Sequence, residues 1–480
     1  MGNSPRTAST CILDDDCLLH VFHFYRPFFL GEDDGADARL KGGMAPWARG
    51  RWWYRLTHVC QRWRNIILGS ASYLGVSLVC TYGTPVADML KHSPPFPLII
   101  DYNEKGRDIA TDDEEGIIVA LKQRERVLRV RLNSSVPVTS QRKFIDAMDE
   151  EYPILEYLLI GIPDEDVSTI LICPETLQAP QLRLLWLRGF ALPMGSRLLT
   201  GTTAVGLVTL SLVMIHPSTY FQPNTLLQWV SLMTQVEELS ILFKFPIPNR
   251  DVERQLTRAP IIALPNLRQL QFRGVFAYLE ALVHRITAPR LERLDIDFFN
   301  RLIFSVPRLL QFMDTTVNLR FNSAVFNFHD KYVSVAVLPR HKAEMFSLGI
   351  LVFCRDLDWQ ISSMVQFSNF LSQFFSAVEH LTLQHEEHEQ SSEEHNKVYR
   401  TTEWHRLLRP FSNVKTLQID IGLVKDLSRC LKSEDGGLSL ELLPELQRLT
   451  YAESRGTRDV FASFIDARRN AGRPVTLARW

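Results

Sequence analysis

A run of histidines and glutamates in the last third of the chain has the residue types that bind divalent metals. The stretch HEEHEQSSEEHNKVYRTTEWH, residues 385–405, contains His385, His388, His395 and His405. Imidazole and carboxylate groups are common zinc ligands. The order HEEH differs, however, from the HExxH that places two histidines on one face of a zinc-protease helix. Because the run is also strongly polar, we interpret it as a solvated loop and expect no metal or cofactor.

A second segment, ARGRWWYRLTHVCQRWR at residues 48–64, mixes arginines with tryptophans and a tyrosine. Some RNA-binding surfaces combine these residue types. The whole chain, however, has 53 basic against 54 acidic residues and a formal net charge of -1, so no global field attracts a polyanion or an anionic membrane. We expect the aromatic side chains to pack and the arginines to be solvated or to meet acidic groups of a partner, and neither nucleic acid nor membrane is an expected partner.

The sequence contains no motif on which a catalytic mechanism could be built. It has no GxGxxG, no Walker-type GxxxxGK[ST] and no GxSxG, and its acidic, cysteine and histidine residues show no catalytic spacing. We therefore expect a protein that is not an enzyme.

Its compartment is indicated by cysteine usage and by the N-terminus. The 7 cysteines are scattered and include no CxxC pair, which favours a reducing compartment. The N-terminal MGNSPRTAST lacks the apolar core of a signal peptide, and the uncharged stretch 198–215 alternates like a buried strand. These features predict a cytoplasmic or nuclear protein.

The elements that would position any functional residue are revealed by a repeat. A six-residue pattern, apolar-x-x-apolar-x-apolar, recurs about every 29 residues from residue 127 to 451. The clear copies are LEYLLI (155), LRLLWL (182), LVTLSL (207), VEELSI (236), LRQLQF (267), LERLDI (291), VEHLTL (378), VKTLQI (414) and LQRLTY (446). Weaker copies are VLRVRL (127), TVNLRF (316) and AEMFSL (343).

Four copies, in APQLRLL, LPNLRQL, APRLERL and LPELQRL, also carry a proline two residues before the first leucine, which suits a turn ahead of a strand. The closing apolar-x-apolar triplet alternates like a strand, and the intervening segments often have helical spacing. The pattern resembles leucine-rich repeats, although the asparagine of that family's consensus is missing from nearly every copy. The resemblance implies a solenoid whose stacked units form one parallel sheet. The alternative is an ordinary α/β domain whose strands begin alike.

In such a sheet, the residue between the last two apolar positions faces away from the core. These outward positions are candidates for contact with a target protein: Arg131, Trp186, Gln271, Asp295, Arg320 and Gln418. Their charges are mixed, so the surface is not built for one strongly charged ligand.

Two amphipathic segments precede the repeats. In ILDDDCLLHVFHFY (12–25), three aspartates suit a helix start, and an apolar stripe follows them. In HVCQRWRNIIL (58–68), Val59, Trp63 and Ile67 recur at helical spacing. Roughly 60 residues bury little core alone, so we expect these helices to lean on a partner.

The two segments resemble the F-box. LDDDCLLHVF (13–22) is similar to its opening, L-P-x-D/E-apolar-L-x-x-I/V-F, with Asp14 in place of proline, and VCQRWRNI (59–66) is similar to its closing helix, V-C-x-x-W-x-x-I/L. A charged, glycine-rich stretch, 26–50, separates the halves. The resemblance implies a helical module that docks the SKP adaptor of a cullin ubiquitin ligase through Leu13, Leu18, Val21, Phe22, Val59 and Trp63.

The predicted fold is therefore α/β, an all-helical F-box-like module followed by an irregular leucine-rich-repeat solenoid with a parallel sheet. The predicted boundaries are a flexible N-terminus (1–10), the module (11–75) with its inserted loop, a linking or capping region (76–125), the repeats (126–455) and a C-terminal cap or tail (456–480). The predicted function is substrate recognition for an SCF-type ubiquitin ligase. The alternative is a repeat scaffold that acts without a ligase, its N-terminal helices covering the open end of the solenoid.

Overall fold

A computed structural model describes most of the chain. The described residues are 13–25, 52–103, 109–132, 136–162, 170–246, 260–299, 307–314, 316, 322–338, 347–385, 397–432, 441–452 and 460–479. The chain divides into two compact units, Met1–Thr203 and Ala204–Trp480. The predicted flexible N-terminus (1–10) and inserted loop (26–50) lie outside the described residues.

The first unit begins with helices and continues with alternating strands and helices. Its helices are α1 (Asp15–Tyr25), α2 (Trp52–Thr57), α3 (Gln61–Gly69), α4 (Ala71–Leu74), α5 (Val86–His92), α6 (Thr111–Leu121) and α7 (Val138–Asp146). Its strands are β1 (Leu78–Cys80), β2 (Leu98–Tyr102), β3 (Val127–Leu132), β4 (Tyr157–Gly161), β5 (Leu171–Ile172), β6 (Leu184–Arg188) and β7 (Phe190–Ala191).

Five of these strands pair in the order β1-β2-β3-β4-β6, and every pair is parallel. The short strands β5 and β7 form a separate parallel pair. Parallel neighbours need a crossover, which the helices and loops between the strands supply. The region predicted to link or cap, 76–125, contributes β1 and β2 to the same sheet as β3.

The remaining elements repeat this alternation. The helices from residue 201 onward are α8 (Gly201–Val205), α9 (Pro223–Val230), α10 (Phe276–Val283), α11 (Pro307–Asp314), α12 (Leu357–Phe370), α13 (Ser372–Phe375), α14 (Lys397–Leu408), α15 (Val424–Leu431) and α16 (Ala462–Asn470). The strands are β8 (Thr209–Ile215), β9 (Glu238–Phe243), β10 (Ile262–Ala263), β11 (Gln269–Gly274), β12 (Ile286–Thr287), β13 (Arg293–Phe298), β14 (Ser323–Phe328), β15 (Tyr332–Leu338), β16 (Leu348–Phe353), β17 (His380–His385), β18 (Thr416–Ile419), β19 (Arg448–Tyr451) and β20 (Thr476–Arg479).

The strands of the second unit pair in the order β8-β9-β11-β13-β16-β15-β14-β17-β18-β19-β20. All neighbours are parallel except β14 with β15 and β15 with β16, which are antiparallel. The sheet order thus reverses the chain order at this point, since β13 pairs with β16 and β14 pairs with β17. The segment predicted as a C-terminal cap or tail supplies α16 and β20, and β20 extends the sheet beside β19.

The core of each unit lies on one face of its sheet. The fourth residue of every clear repeat copy is a leucine, and these leucines occupy neighbouring register positions, as in the pairs Leu239 with Leu270 and Leu270 with Leu294. All are at most 1% exposed: Leu158, Leu185, Leu210, Leu239, Leu270, Leu294, Leu381, Leu417 and Leu449. Each buried leucine stabilises the fold by roughly 2 kcal/mol relative to an exposed one.

The predicted mixed α/β class with a large, mostly parallel sheet is confirmed. In each of the nine clear copies the strand begins two residues after the start of the pattern, as β11 (Gln269–Gly274) does in the copy at 267. The proline lead-ins form turns: the N–H of Leu182 donates to the carbonyl of Ala179 across Pro180, and the other three copies repeat this bond. The apolar stretch 198–215 holds α8 and β8, and no helix among the described residues is long and apolar enough to cross a membrane.

The weaker copies of the pattern predicted the positions of strands less well. VLRVRL coincides with β3, but the copy at 343 ends where β16 begins, at Leu348. Most of the copy at 316 lies outside the described residues. The antiparallel pair β14–β15 between those two copies was not predicted.

Candidate protein-binding surfaces

The N-terminal helix α1 begins where its aspartates predict. The side chain of Asp14 accepts the N–H of Cys17 at 2.6 Å, which satisfies one of the unpaired amides at the helix start. That hydrogen bond, together with a weaker attraction from Arg62, lowers the pKa of Asp14. Asp14 therefore caps the start of α1.

Helix α1 packs on α3 through one aromatic contact. Leu18 and Phe22 are 2% and 1% exposed, and the ring of Phe22 meets the half-buried ring of Trp63 edge to face at 4.9 Å between centroids. Edge-to-face geometry is a favoured arrangement of aromatic rings. Leu18, Phe22 and Trp63 thus hold the two helices together, so the burial of Leu18 and Phe22 excludes them as direct contacts of an outside partner in this conformation.

Arg62 on α3 also binds the start of α1. Its guanidinium lies 2.7 Å from the carboxylate of Asp15 and donates to the carbonyl of Leu13 at 2.6 Å. Arg62 thus meets an acid of its own chain rather than an acidic group of a partner.

The module is joined to the sheet by tryptophan. Trp52 and Trp53 on α2 are 6% and 8% exposed. The indole N–H of Trp53 donates to the carbonyl of Ser77 at 3.1 Å, and its ring meets Phe96 edge to face at 5.9 Å. The tryptophans of the arginine-rich segment therefore pack within the protein, while Arg49 and Arg51 lie outside the described residues.

Three of the predicted adaptor contacts stay at the surface. Leu13, Val21 and Val59 are 44%, 51% and 58% exposed. Phe24 and Tyr25 on α1, which were not among the predicted adaptor contacts, are 78% and 58% exposed. Val21, Phe24 and Tyr25 are three and four residues apart and so share one face of α1. Exposed apolar residues that share a face are typical of a protein-binding site, whereas single ones need no explanation. The module thus separates into a buried set that supports it and an exposed apolar set.

A second candidate surface is the outward face of the sheet in the first unit. Arg131 on β3, Leu159 on β4 and Trp186 on β6 occupy one register row, which Asp101 on β2 extends. The next row contains Ile99, Arg129, Tyr157 and Leu184. Two predicted residues, Arg131 and Trp186, are therefore brought onto one face only two strands apart.

Aromatic rings on this face are held by specific neighbours. The guanidinium of Arg129 lies 4.2 Å from the centroid of the Tyr157 ring, a cation–π distance. The ring of Trp186 lies over Gly161, where an added Cβ would come within 3.0 Å of it. Arg129 and Tyr157 were missed from the sequence, although each lies two positions before an outward residue on its own strand and so had to share its face.

The outward face of the second unit places Gln271, Asp295 and Gln418 in one row that also includes Thr382 and Thr450. Its charges are paired: Arg273 lies 2.6 Å from Asp297, and Arg293 lies 3.4 Å from Asp295. Burial, and then the neighbouring charge of Asp297, raise the pKa of Asp295. Arg320 lies outside the described residues.

The histidine and glutamate run is only partly described. His385 ends β17 and His405 lies on α14, whereas His388 and His395 are outside the described residues. Burial lowers the pKa of His405, although it hydrogen-bonds the backbone of Cys430. Among the described residues, no group of three or more histidine, cysteine or acidic side chains is arranged to hold a metal ion.

Comparison of the chain with protein-family models finds no match, and a search of curated proteins finds no significant match either. Its function is therefore argued from its own residues.

Proposed function

We propose that this protein is the substrate-recognition subunit of an SCF-type cullin ubiquitin ligase. In this proposal the N-terminal module is an F-box that docks an SKP-family adaptor and, through it, a cullin. The sheet-bearing region is an irregular leucine-rich-repeat solenoid that presents a protein target. Such a subunit needs no reactive side chain, because holding a target near the ligase raises its effective concentration.

The observation that carries the proposal is that some apolar residues of the module are buried and others are exposed. Leu18, Phe22 and Trp63 pack α1 on α3, and the same packing leaves Leu13, Val21 and Val59 exposed. Val21 shares its face of α1 with the exposed Phe24 and Tyr25, so this face offers a partner several apolar side chains that the core of the module does not use. Apolar anchors of this kind concentrate the energy of a protein interface.

The exposed set gives a sharper test than the buried set, because changes at Leu18 or Trp63 would also damage the module. We expect Val21→Glu combined with Val59→Glu to abolish capture of a purified SKP adaptor. Each anchor contributes on the order of 2 kcal/mol, which corresponds to roughly thirtyfold in affinity. Ile172→Glu is the matched control, since Ile172 is 62% exposed and lies outside the module.

The measurement is the dissociation constant for the adaptor, by calorimetry, for the wild type, the double variant and the control. Thermal melts of all three proteins confirm that the variants fold. Absence of adaptor binding by the wild type would remove the ligase from the proposal. Equal binding by the double variant would show that the exposed set is not the docking surface.

One observation favours a second function, a repeat scaffold that works without a ligase. Trp53 ties the module to Ser77, next to the first strand of the sheet, as a cap on an open sheet end would. A cap alone requires only the buried tryptophans and not the exposed residues of α1. A wild type that captures no adaptor, but whose stability falls when Trp53 is replaced by alanine, would establish the scaffold.

A further inference from the structure

We infer that the outward face of β2, β3, β4 and β6 binds an acidic, apolar-containing segment of the target protein. This inference rests on the proposed function, because it takes the sheet face as the surface that receives the target. It adds the chemistry of the target and the part of the sheet that recognises it.

The first observation is the charge on this face. Three arginines, Arg129, Arg131 and Arg188, occupy outward positions on β3 and β6. Two carboxylates lie near these arginines: Glu156 is 3.7 Å from Arg129, and Asp101 is 3.8 Å from Arg131. The side chain of Asp101 is only 12% exposed, whereas that of Arg131 is 37% exposed. An approaching partner therefore meets the guanidinium of Arg131 before it meets the carboxylate of Asp101.

Arg131 is the arginine best placed to bind a ligand. Its distance of 3.8 Å from Asp101 is too long for a hydrogen bond. Its guanidinium forms an ion pair with Asp101 but no hydrogen bond with a side chain or carbonyl of the described residues, so its N–H groups can donate to a ligand. A guanidinium presents these donors as a planar fork that matches a carboxylate with two parallel hydrogen bonds.

The second observation is the apolar surface between the arginines. Tyr157, Leu159 and Trp186 are half-buried and lie on β4 and β6. Neighbouring strands are about 4.8 Å apart and Arg188 lies two residues beyond the row of Arg131, so the two arginines are roughly 12 Å apart across this surface. Tyrosine, tryptophan and arginine are the residues that most often dominate a protein interface. A segment that alternates carboxylates with apolar side chains satisfies both parts of the surface.

On the outward face of the second unit the arginines and carboxylates are paired more closely. Arg273 and Arg293 lie 2.6 and 3.4 Å from Asp297 and Asp295, whereas the two arginine–carboxylate pairs of the first unit are 3.7 and 3.8 Å apart. Acidic peptide is therefore expected at the face of the first unit, and an exposed arginine of the second unit serves as the matched control. Arg448 on β19 is exposed and faces outward in the row of Thr416.

The test uses the full-length chain and three fluorescein-labelled nonapeptides: alternating glutamate and leucine, alternating lysine and leucine, and alternating phosphoserine and leucine. Fluorescence anisotropy gives the dissociation constants. We expect the wild type to bind the glutamate peptide most tightly. Arg131→Gln should weaken this binding by about tenfold or more, because a charged, bidentate hydrogen bond is lost. Arg131→Lys should retain part of it, and Arg448→Gln should leave it unchanged.

A separate variant, Gly161→Ala, tests the aromatic part, because its methyl group displaces the ring of Trp186 without changing any charge. We expect weaker binding of the glutamate peptide with an unaltered preference over the lysine peptide. Equal binding of the glutamate and lysine peptides, or binding of the phosphoserine peptide alone, would overturn the inference. So would wild-type affinity in folded Arg131→Gln protein.

Adaptor capture is measured on the same preparations. A wild type that captures the adaptor but not the glutamate peptide defeats this inference and leaves the ligase proposal standing. The opposite result defeats the ligase proposal and leaves an acidic-segment-binding scaffold.

Discussion

Gln141 is a buried side chain whose amide hydrogen-bonds two backbone carbonyls. Its side chain is 0% exposed, and its amide nitrogen donates to the carbonyls of Val136 and Gly161 at 3.1 and 2.6 Å. A buried carbonyl needs a donor, and Gln141 on α7 supplies one to Val136 and to Gly161, the last residue of β4. This side chain therefore joins α7 to the end of β4.

Replacing Gln141 by leucine should lower the free energy of unfolding by about 1–3 kcal/mol, because two buried carbonyls lose their partner. The measurement is urea denaturation followed by circular dichroism. Gln418→Leu is the control, since Gln418 is exposed on the outward sheet face and such substitutions usually change stability by less than about 0.5 kcal/mol. A loss as small as that of the control would mean that water reaches the two carbonyls.

Outward sheet residues could be selected from sequence because a strand alternates its faces, which placed Arg131, Trp186, Gln271, Asp295 and Gln418 correctly on the outer side. Their importance could not be predicted, because it depends on partners from other strands. The ring of Tyr157 beneath Arg129 and the seat of Trp186 over Gly161 are cross-strand contacts. The register that creates them is visible only once the strands are paired.

At the scale of the elements, helix α11 is hydrogen-bonded at its start to a residue of the preceding helix α10. Glu280 on α10 accepts the N–H groups of Arg308 and Leu309 at 3.0 and 2.9 Å. Burial raises the pKa of Glu280 despite these two bonds. The carboxylate therefore joins two successive helices and lies where the positive end of the α11 dipole favours an acid.

We expect Glu280→Ala to destabilise the protein by about 1–2 kcal/mol, the usual cost of losing a helix cap. Glu280→Gln should cost less, because its amide oxygen still accepts one N–H. Denaturant melts of the three proteins test this order. If the alanine and glutamine variants were equally stable, the two hydrogen bonds would not be the source of the effect.

The parallel strands were predictable because each repeat buries a leucine at the register position that the leucine of the next repeat also occupies. This packing gives the sequence one recurring spacing. The antiparallel pair β14–β15 obeys a different rule. Its alternation is visible in SAVFNF (323–328) and YVSVAVL (332–338), joined by a short turn. Only the pairing of β13 with β16 shows that this pair is inserted into the sheet, and such a long-range contact leaves no local pattern.

At the scale of the whole molecule, balanced charge argues against a nucleic-acid function. The net charge of -1 provides no field for a polyanion. Within the arginine-rich segment, Arg62 meets Asp15, and Arg64 donates to the carbonyl of Thr57 at 3.1 Å. These contacts engage two of the guanidinium groups that an RNA-binding surface would need.

We therefore expect the full chain to bind labelled single-stranded RNA with a dissociation constant weaker than about 100 µM at physiological salt, the weak limit of non-specific binding. Fluorescence anisotropy across a salt series measures this. Micromolar binding that strengthens steeply as salt falls, and is lost in Arg55→Gln, would instead establish an RNA-binding protein.

The reversed strand order in the second unit has a consequence for synthesis on the ribosome. Strand β13 cannot pair with the next strand that emerges, because its partner β16 begins at Leu348, about 50 residues later. At translation rates of about 5–20 residues per second, the edge of β13 remains unpaired for roughly 3–10 s. An open parallel edge invites pairing with other chains. The position of the β14–β15 hairpin in the sequence therefore sets an interval during synthesis in which chaperone protection matters most.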